Sequence, residues 1–148
     1  MASDAAPGPA PDELQIHIDG GSRGNPGEAG YGVYVQDGRG GDVARLYGYL
    51  GTATNNVAEY QGLISALRFA SEQGARRVRI FSDSELVVRQ VEGRYKVKHA
   101  SMVPLHREAM GLLRRFAQWS VTHVRREENK EADRLANRAL DERASGRL

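Results

Sequence analysis

Hydrophobic and polar residues alternate in the first part of the chain. In the run 14–18 every second residue is apolar, which predicts a strand with one buried face. A second alternating run covers 31–35, and 43–50 reads as a third strand. Because a short glycine-rich turn at 37–41 separates these last two runs, we expect them to form an antiparallel hairpin.

The spacing of apolar residues then changes to every third or fourth position. Over 56–73 this spacing predicts an amphipathic helix, and Gly74 stands where a helix stop belongs. The short apolar run 78–81 predicts a buried strand. The remaining predicted elements are helices over 84–92 and 102–118, a fifth strand over 119–125 and a last helix over 129–143.

This order predicts an α/β fold with a mixed five-stranded sheet, three antiparallel strands followed by alternating βα units, flanked by helices. Right-handed crossovers would bring the carboxyl ends of the first and fourth strands to one edge, where open α/β sheets bind ligands. We expect one domain over 13–143, preceded by a disordered Ala/Pro-rich leader over 1–12 and followed by a frayed tail over 144–148.

The composition narrows the class of protein. Of the 148 residues 40% are hydrophobic and 27% charged, which is ordinary for a soluble domain. The chain contains no cysteine, which excludes disulfide scaffolds, thiol nucleophiles and thiolate zinc sites. No apolar run approaches the ~20 residues of a membrane span. We therefore expect a cytoplasmic protein without a membrane partner.

The net charge of +2 is unevenly distributed along the chain. Residues 1–75 carry four basic and nine acidic side chains, whereas 76–148 carry seventeen basic and ten acidic ones. Such segregation is typical of a polyanion-binding surface beside a site that needs carboxylates, and equally of a solvated helical face.

Four acidic residues stand at the ends of predicted elements. Asp19 and Asp83 end the first and fourth strands, while Glu59 and Asp133 lie in the first turns of two helices. Each has a structural alternative: a turn at Asp19, a helix cap at Asp83, a capping box ending at Glu59, and an ion pair of Asp133 with Lys130. If the four converge, their mutual repulsion requires divalent cations, and oxygen ligands favour Mg²⁺ or Mn²⁺.

The glycine-rich stretch 20–30 separates the first two predicted strands. A dinucleotide-binding fingerprint would lead from a strand into a helix, so we exclude that motif, and the Gly-Lys-Ser/Thr of a P-loop is absent. We interpret the stretch as a loop whose glycines let the backbone approach a bulky ligand, with a structural turn as the alternative.

Four strings in order resemble the type 1 ribonuclease H family over about residues 13–140. They are Ile18-Asp-Gly-Gly-Ser-Arg-Gly-Asn-Pro-Gly27, Thr54-Asn-Asn-Val-Ala-Glu-Tyr60, Phe81-Ser-Asp-Ser84 and Asn129-Lys-Glu-Ala-Asp-Arg-Leu-Ala136. The resemblance implies the ribonuclease H fold and hydrolysis of the RNA strand of RNA–DNA hybrids, leaving 5′-phosphate and 3′-hydroxyl ends. It also implies that Asp19, Glu59, Asp83 and Asp133 bind two Mg²⁺ or Mn²⁺ ions per site.

The resemblance also suggests which residues contact the substrate. At some of these positions, members of the family contact the RNA strand or a phosphate of the DNA strand. Glu85 stands where some relatives have Gln. The expected substrate-binding residues are Gly20, Gly21, Asn25, Thr54, Asn55, Asn56, Glu85, Lys96 and Lys98.

Two segments depart from many bacterial members of that family. The loop before the last helix is short, so we expect Arg126 to take the place of the usual loop histidine, while His123 lies in a strand. The basic protrusion around 94–101 is trimmed and lacks tryptophan, from which we expect weaker hybrid binding and stronger salt sensitivity.

Three other functions remain open at this point. The same site could also cleave double-stranded RNA, since both duplexes present 2′-hydroxyls in a wide minor groove. A binding module that has lost its chemistry is a second alternative, which four intact acids disfavour. A transposase or resolvase on a similar sheet is a third, which the 54–60 string disfavours. We expect a monomer in each case.

Overall fold

The computed structural model describes residues 12–148, so all but the last residue of the expected leader lies outside it. Its elements follow the predicted order, with one strand added at the C-terminus. They are β1 (Glu13–Gly24), β2 (Gly27–Asp37), β3 (Asp42–Ala53), α1 (Asn55–Glu72), β4 (Arg77–Ser82), α2 (Glu85–Val91), α3 (Val103–Leu113), β5 (Gln118–His123), a 3-10 turn (Arg126–Glu128), α4 (Lys130–Glu142) and β6 (Gly146–Arg147).

The strands form one mixed sheet in the order β5-β4-β1-β2-β3-β6. The β1–β2, β2–β3 and β3–β6 pairs are antiparallel, while the β1–β4 and β4–β5 pairs are parallel. The predicted α/β class, the hairpin of β2 with β3 and the parallel placement of β1 beside β4 are confirmed.

Helices cover the two faces of the sheet unequally. α1 packs on β1 and β2 with α3 and α2 beside it, and the apolar residues of β1, Leu14, Ile16 and Ile18, are fully buried in the main core. α4 lies on the opposite face over β2 and β3, against Tyr47. No helix within 12–148 is both long and apolar enough to cross a membrane.

The glycine-rich stretch is a strand pair rather than a loop, so that prediction is wrong. β1 continues to Gly24 and β2 begins at Gly27. A Cβ at Gly20 would overlap the backbone of Ala58 in α1, and a Cβ at Gly32 would overlap the carbonyl of Ala132 in α4. The glycines at these two positions let both helices approach the sheet closely, which periodicity does not show.

The C-terminal residues also differ from the prediction, because they are paired rather than frayed. Gly146 and Arg147 pair with Tyr47 and Leu46, making β6 a sixth strand. The main chain of Leu148 donates to the Arg45 carbonyl at 2.8 Å. β3 would otherwise present an unpaired edge, and two residues of strand are too short to show alternation.

At the other end of the domain, Asp12 is tied to the start of β4. Its carbonyl accepts hydrogen bonds from the main chain of Arg76 and Arg77, both at 3.0 Å, and its carboxylate pairs with Arg77. α3 ends at Leu113, five residues before its expected limit, because Ala117 already donates to the Arg76 carbonyl next to β4.

Candidate active site

Two of the four acids emerge side by side from parallel strands. In the register of β1 and β4, Ile18 lies opposite Ser82 at the end of the ladder. The next residue on each strand is an acid, Asp19 on β1 and Asp83 after β4. Strand pairing thus places these two carboxylates at one edge of the sheet, as the sequence predicted.

Glu59 reaches the same edge from α1 and is 4% exposed. Its carboxylate accepts a hydrogen bond from the Gly20 main chain at 2.8 Å and another from the Ser82 hydroxyl at 3.1 Å. It does not close a capping box, since α1 begins at Asn55 with the Thr54 side chain as its cap. The alternative interpretation of Glu59 is therefore wrong.

Asp133 joins the cluster from α4. Carboxylate oxygens of Asp19, Glu59 and Asp83 lie within 4.8 Å of one another. Asp133 lies next to Asp19, since its carboxyl is one of the groups that raise the pKa of Asp19. Among the described residues no ion pair joins Asp133 to Lys130, and Ser84 rather than Asp83 caps α2. All four acids are thus brought together.

The electrostatics of the cluster favour neutralisation. Burial, followed by the charges of Glu59 and Asp83, raises the pKa of Asp19 to about 10. Burial raises the pKa of Glu59 to about 7, although hydrogen bonds to it act in the opposite direction. Crowded carboxylates of this kind either hold protons or hold cations. An all-oxygen donor set from four acids fits Mg²⁺ or Mn²⁺ and not a soft metal.

Arg126 and His123 lie on the β5 side of the cluster. His123 is the last residue of β5 and is paired with Ser82, so it is a strand residue as the sequence predicted. Arg126 stands in the 3-10 turn with its side chain 86% exposed, and its Nε lies 3.9 Å from an Asp83 oxygen. The short loop therefore holds a long, exposed cationic side chain beside the acids.

The expected substrate-binding residues near β1 form a clasp between the β1–β2 hairpin and the start of α1. The Asn25 side-chain oxygen accepts from the main chain of Asn55 at 3.1 Å, and the Asn55 oxygen accepts from that of Ser22 at 2.7 Å. Because each bond uses an oxygen, the two Nδ2 groups remain as donors. Thr54 caps the helix beneath them, with Asn56 half-buried next to it and Gly20 and Gly21 on the adjacent strand.

The other expected contacts lie along α2 and the segment that follows it. Glu85 is in the first turn of α2 and pairs with Arg89 at 3.1 Å, so part of its charge is already compensated. Lys96 and Lys98 are exposed in the segment before α3. The Gln90 side chain donates to the Lys96 carbonyl at 3.4 Å, which ties this segment to α2.

Ser82 is a site residue to which the sequence analysis gave no role. It is fully buried, donates to Glu59 and accepts from the main chain of Ser84 at 3.0 Å. A serine inside an otherwise apolar strand, directly before an acid, was the available signal. Its hydroxyl fixes the Glu59 carboxylate at the edge of the sheet.

Comparison with known proteins identifies the family. A family model described as reverse transcriptase-like matches residues 17–139. The crystal structure of RNase H1 from the halophilic archaeon Halobacterium salinarum is 42% identical, with a TM-score of 0.85 over 88% of this chain and 98% of that chain. The chain belongs to the type 1 ribonuclease H family. The resemblance carried by the four strings is therefore confirmed.

Two further proteins are similar to this chain. A bifunctional protein of Mycobacterium tuberculosis is 47% identical over 130 residues, 87% of this chain and 36% of that protein. The chain thus spans about a third of the length of the first curated relatives that it matches. The structure of LC11-RNase H1 in complex with RNA/DNA hybrid is 38% identical, with a TM-score of 0.83 over 88% of this chain and 98% of that one.

Proposed function

We propose that this ribonuclease H is an endoribonuclease that hydrolyses the RNA strand of RNA–DNA hybrids. The observation that carries the proposal is the convergence of Asp19, Glu59, Asp83 and Asp133 at one sheet edge. The relative solved with an RNA/DNA hybrid, at 38% identity, supports the substrate class. The products would carry 5′-phosphate and 3′-hydroxyl ends.

The four carboxylates would hold two Mg²⁺ or Mn²⁺ ions. When bound, such a pair activates water and stabilises the leaving oxygen of a phosphodiester. The chain's own part is to fix the ligands: Gly20 and Ser82 hold the two oxygens of Glu59, and strand register holds Asp19 beside Asp83. Arg126, whose Nε lies 3.9 Å from an Asp83 oxygen, would contact the scissile phosphate or the product phosphate.

Discrimination of RNA from DNA would come from the hairpin–helix clasp. The free amide donors of Asn25 and Asn55 lie on the β1–β2 hairpin and at the start of α1, close in sequence to Gly20 and Glu59. Donors of this kind can bind 2′-hydroxyl groups, which only RNA presents. Lys96 and Lys98 would contact the phosphates of the paired DNA strand.

A cleavage assay tests the proposal. The full chain is incubated in Mg²⁺ or Mn²⁺ with strand-labelled RNA–DNA hybrid, double-stranded RNA, single-stranded RNA and duplex DNA. Asp83→Asn is assayed in parallel, with Glu127→Gln as the matched control because Glu127 is an exposed acid in the nearby 3-10 turn. We expect cutting of the hybrid's RNA strand, its loss by at least 10³-fold in Asp83→Asn, and normal cutting by Glu127→Gln.

The outcomes separate the remaining functions. Additional cutting of double-stranded RNA would keep the site and broaden the substrate. Binding of hybrid without cutting in either metal would indicate a module that retains the fold without the chemistry. Undiminished cleavage by a folded Asp83→Asn would remove Asp83 from the metal site. Circular dichroism of the variant establishes that it is folded.

A further inference from the structure

Asn129 is the first residue of the 129–136 string, and neither the metal cluster nor the substrate contacts account for it. It lies between the 3-10 turn and α4 and is 1% exposed. Asparagine at the start of a helix commonly caps it, yet the Asn129 side chain makes no capping bond. A buried asparagine that does not cap its helix has another partner.

That partner is the main chain of β1 directly before Asp19. The Asn129 Nδ2 donates to the Ile18 carbonyl at 2.8 Å, in a buried hydrogen bond. Because a carbonyl only accepts, the amide nitrogen has to face it, which fixes the orientation of the side chain. The ladder between β1 and β4 ends at the Ile18–Ser82 pair, so the Asn129 bond holds β1 directly before Asp19, where pairing with β4 stops.

The main chain of Asn129 is bonded to the other half of the site. Its carbonyl accepts from the Asp133 main chain at 3.1 Å, and its N–H donates to the Arg126 carbonyl at 2.9 Å. One residue therefore connects β1 beside Asp19, the helical turn that carries Asp133, and the turn that carries Arg126.

Only one of the two polar atoms of the Asn129 side chain is bonded to the protein within the described residues. The Asn129 Oδ1 is buried and has no hydrogen-bond partner within residues 12–148. An unsatisfied buried acceptor destabilises the folded state, and an apolar side chain of similar size would avoid that penalty. An apolar side chain could not hold the Ile18 carbonyl, however. Residues that cost stability and fix geometry in this way are typical of functional sites.

We propose that Asn129 is a positioning residue that sets the separation of Asp133 from Asp19 and thereby the affinity of the four-carboxylate cluster for divalent cations. The inference rests on the proposed function, since it assumes that the cluster binds metal. Repulsion among the acids acts to push α4 away from β1. The Asn129 bond opposes this movement at the place where it would begin.

Calorimetric titration of the full chain with Mn²⁺, without nucleic acid, tests the proposal. Asn129→Ala removes the donor, and Asn129→Ser keeps a single donor on a shorter side chain. Asn137→Ala is the matched control: Asn137 is an exposed asparagine of α4 whose Nδ2 donates to the Asp133 carbonyl at 3.1 Å and whose Oδ1 accepts from the Arg23 side chain of β1 at 3.3 Å. It therefore also links α4 to β1, but neither bond reaches the main chain of β1 beside Asp19. Thermal unfolding of each variant is measured in EDTA.

We expect Asn129→Ala to weaken Mn²⁺ binding by about 10–100-fold, as loss of residues that orient metal ligands typically does. Asn129→Ser should fall between Asn129→Ala and wild type, and Asn137→Ala should bind Mn²⁺ as wild type does. In the cleavage assay, kcat of Asn129→Ala at low Mn²⁺ should fall and recover as Mn²⁺ is raised, with KM for the hybrid unchanged.

A lower melting temperature with unchanged Mn²⁺ affinity would show that Asn129 is only structural and would overturn the inference. If Asn129→Ala does not fold, the same comparison is made with Asn129→Ser, and wild-type affinity there also overturns it. If the wild-type chain cleaves the hybrid and both variants bind Mn²⁺ with wild-type affinity, the inference about Asn129 is overturned and the proposed function is retained. A wild-type chain that neither binds Mn²⁺ nor cleaves overturns both.

Discussion

Glu59 and Ser82 illustrate how a residue acquires its role from contacts that its sequence neighbours do not show. The three-residue spacing from Asn56 is compatible with a capping box at Glu59. The helix instead begins at Asn55 with Thr54 as its cap, which leaves the Glu59 carboxylate to accept from Gly20 and Ser82. The sequence limits what each residue can do, and the contacts across the sheet edge decide which of these it does.

At the residue scale, we predict the effect of replacing Arg126. Arg126→Ala removes an exposed cation 3.9 Å from Asp83, so it should slow turnover more than it weakens binding of the hybrid. We expect kcat to fall by roughly 10–100-fold with KM changed less than about threefold. Steady-state kinetics on a hybrid substrate measure this, with Arg125→Ala as the control because Arg125 is the exposed neighbouring arginine. A change in KM alone would reduce Arg126 to a phosphate contact.

At the level of elements, the site depends on how closely two helices pack on β1 and β2. α1 brings Glu59 and α4 brings Asp133, and each helix lies over a glycine of the sheet, Gly20 or Gly32. The close approach of helix backbone to strand backbone lets the acids of α1 and α4 meet the acid of β1 and the one that follows β4. Gly20, which the sequence analysis assigned to a loop, is thus a packing residue within a strand, as is Gly32.

Two glycine substitutions should have opposite effects on stability. A Cβ at Gly32 would overlap the Ala132 carbonyl and lie 2.7 Å from the Ala136 nitrogen, so Gly32→Ala should destabilise the protein by about 1–3 kcal/mol and displace Asp133. Gly111 in α3 has nothing within 4 Å of its Cβ position, so Gly111→Ala should stabilise by up to about 1 kcal/mol. Urea unfolding of both variants measures the difference, and equal effects would contradict this account of packing.

Glu131 links α4 to β3 and gives the fold a pH dependence. Hydrogen bonds from Arg134 and then Arg45 lower the pKa of Glu131 to about 2, against the desolvation that raises it. A carboxyl with a lowered folded pKa adds stability above its unfolded pKa, about 4.3, and loses it as pH falls toward 2. Glu131→Gln should therefore cost about 1 kcal/mol at pH 7 and progressively less below pH 4.

Urea unfolding of Glu131→Gln between pH 7 and pH 3 checks this dependence. Glu127→Gln serves as the control, because Glu127 is exposed and forms no ion pair among the described residues. A difference between wild type and Glu131→Gln that stays constant down to pH 3 would contradict the assigned pKa shift.

On the scale of the whole molecule, the basic excess lies in the C-terminal half, which also supplies Asp83 and Asp133 of the acidic cluster. Residues 76–148 supply the basic excess, including Lys96 and Lys98. The segment that carries these lysines is bonded to α2 through the Gln90 side chain. A duplex lying across the acidic cluster would bring its phosphates to such cations. The trimmed segment has only one exposed large apolar side chain, Tyr95, so electrostatics would dominate its contacts.

The double variant Lys96→Ala/Lys98→Ala should weaken binding of hybrid and reduce its salt dependence. Each lost phosphate contact should lower the slope of log K against log salt by about 0.9, so a total change near 2 is expected. Fluorescence anisotropy at several salt concentrations measures it, in Ca²⁺ to suppress cleavage. Arg39→Ala, in the distant turn between β2 and β3, is the control. An unchanged slope would place both lysines outside the interface.

The chain's periodicity was sufficient for the class and order of most elements, because burial of one face imposes a pattern that residue types reveal. It missed β6, whose two residues are too few for a pattern, and it misassigned the glycines of β1 and β2, since glycine is equally typical of loops and of close packing. The predicted third helix also extended too far at its C-terminal end, because the main chain of Ala117 is hydrogen-bonded to the Arg76 carbonyl instead of continuing the helix.

The sequence by itself determined the inventory of the candidate site: four acids, a short loop with Arg126, and the amide-rich segments around Asn25 and Asn55. Only the tertiary structure decided that the acids meet, that Ser82 orients Glu59, and that Asn129 joins β1 to α4. The physical reason is that these contacts join residues that lie far apart in the chain. Strand register and helix packing fix such distances, and no local pattern records them.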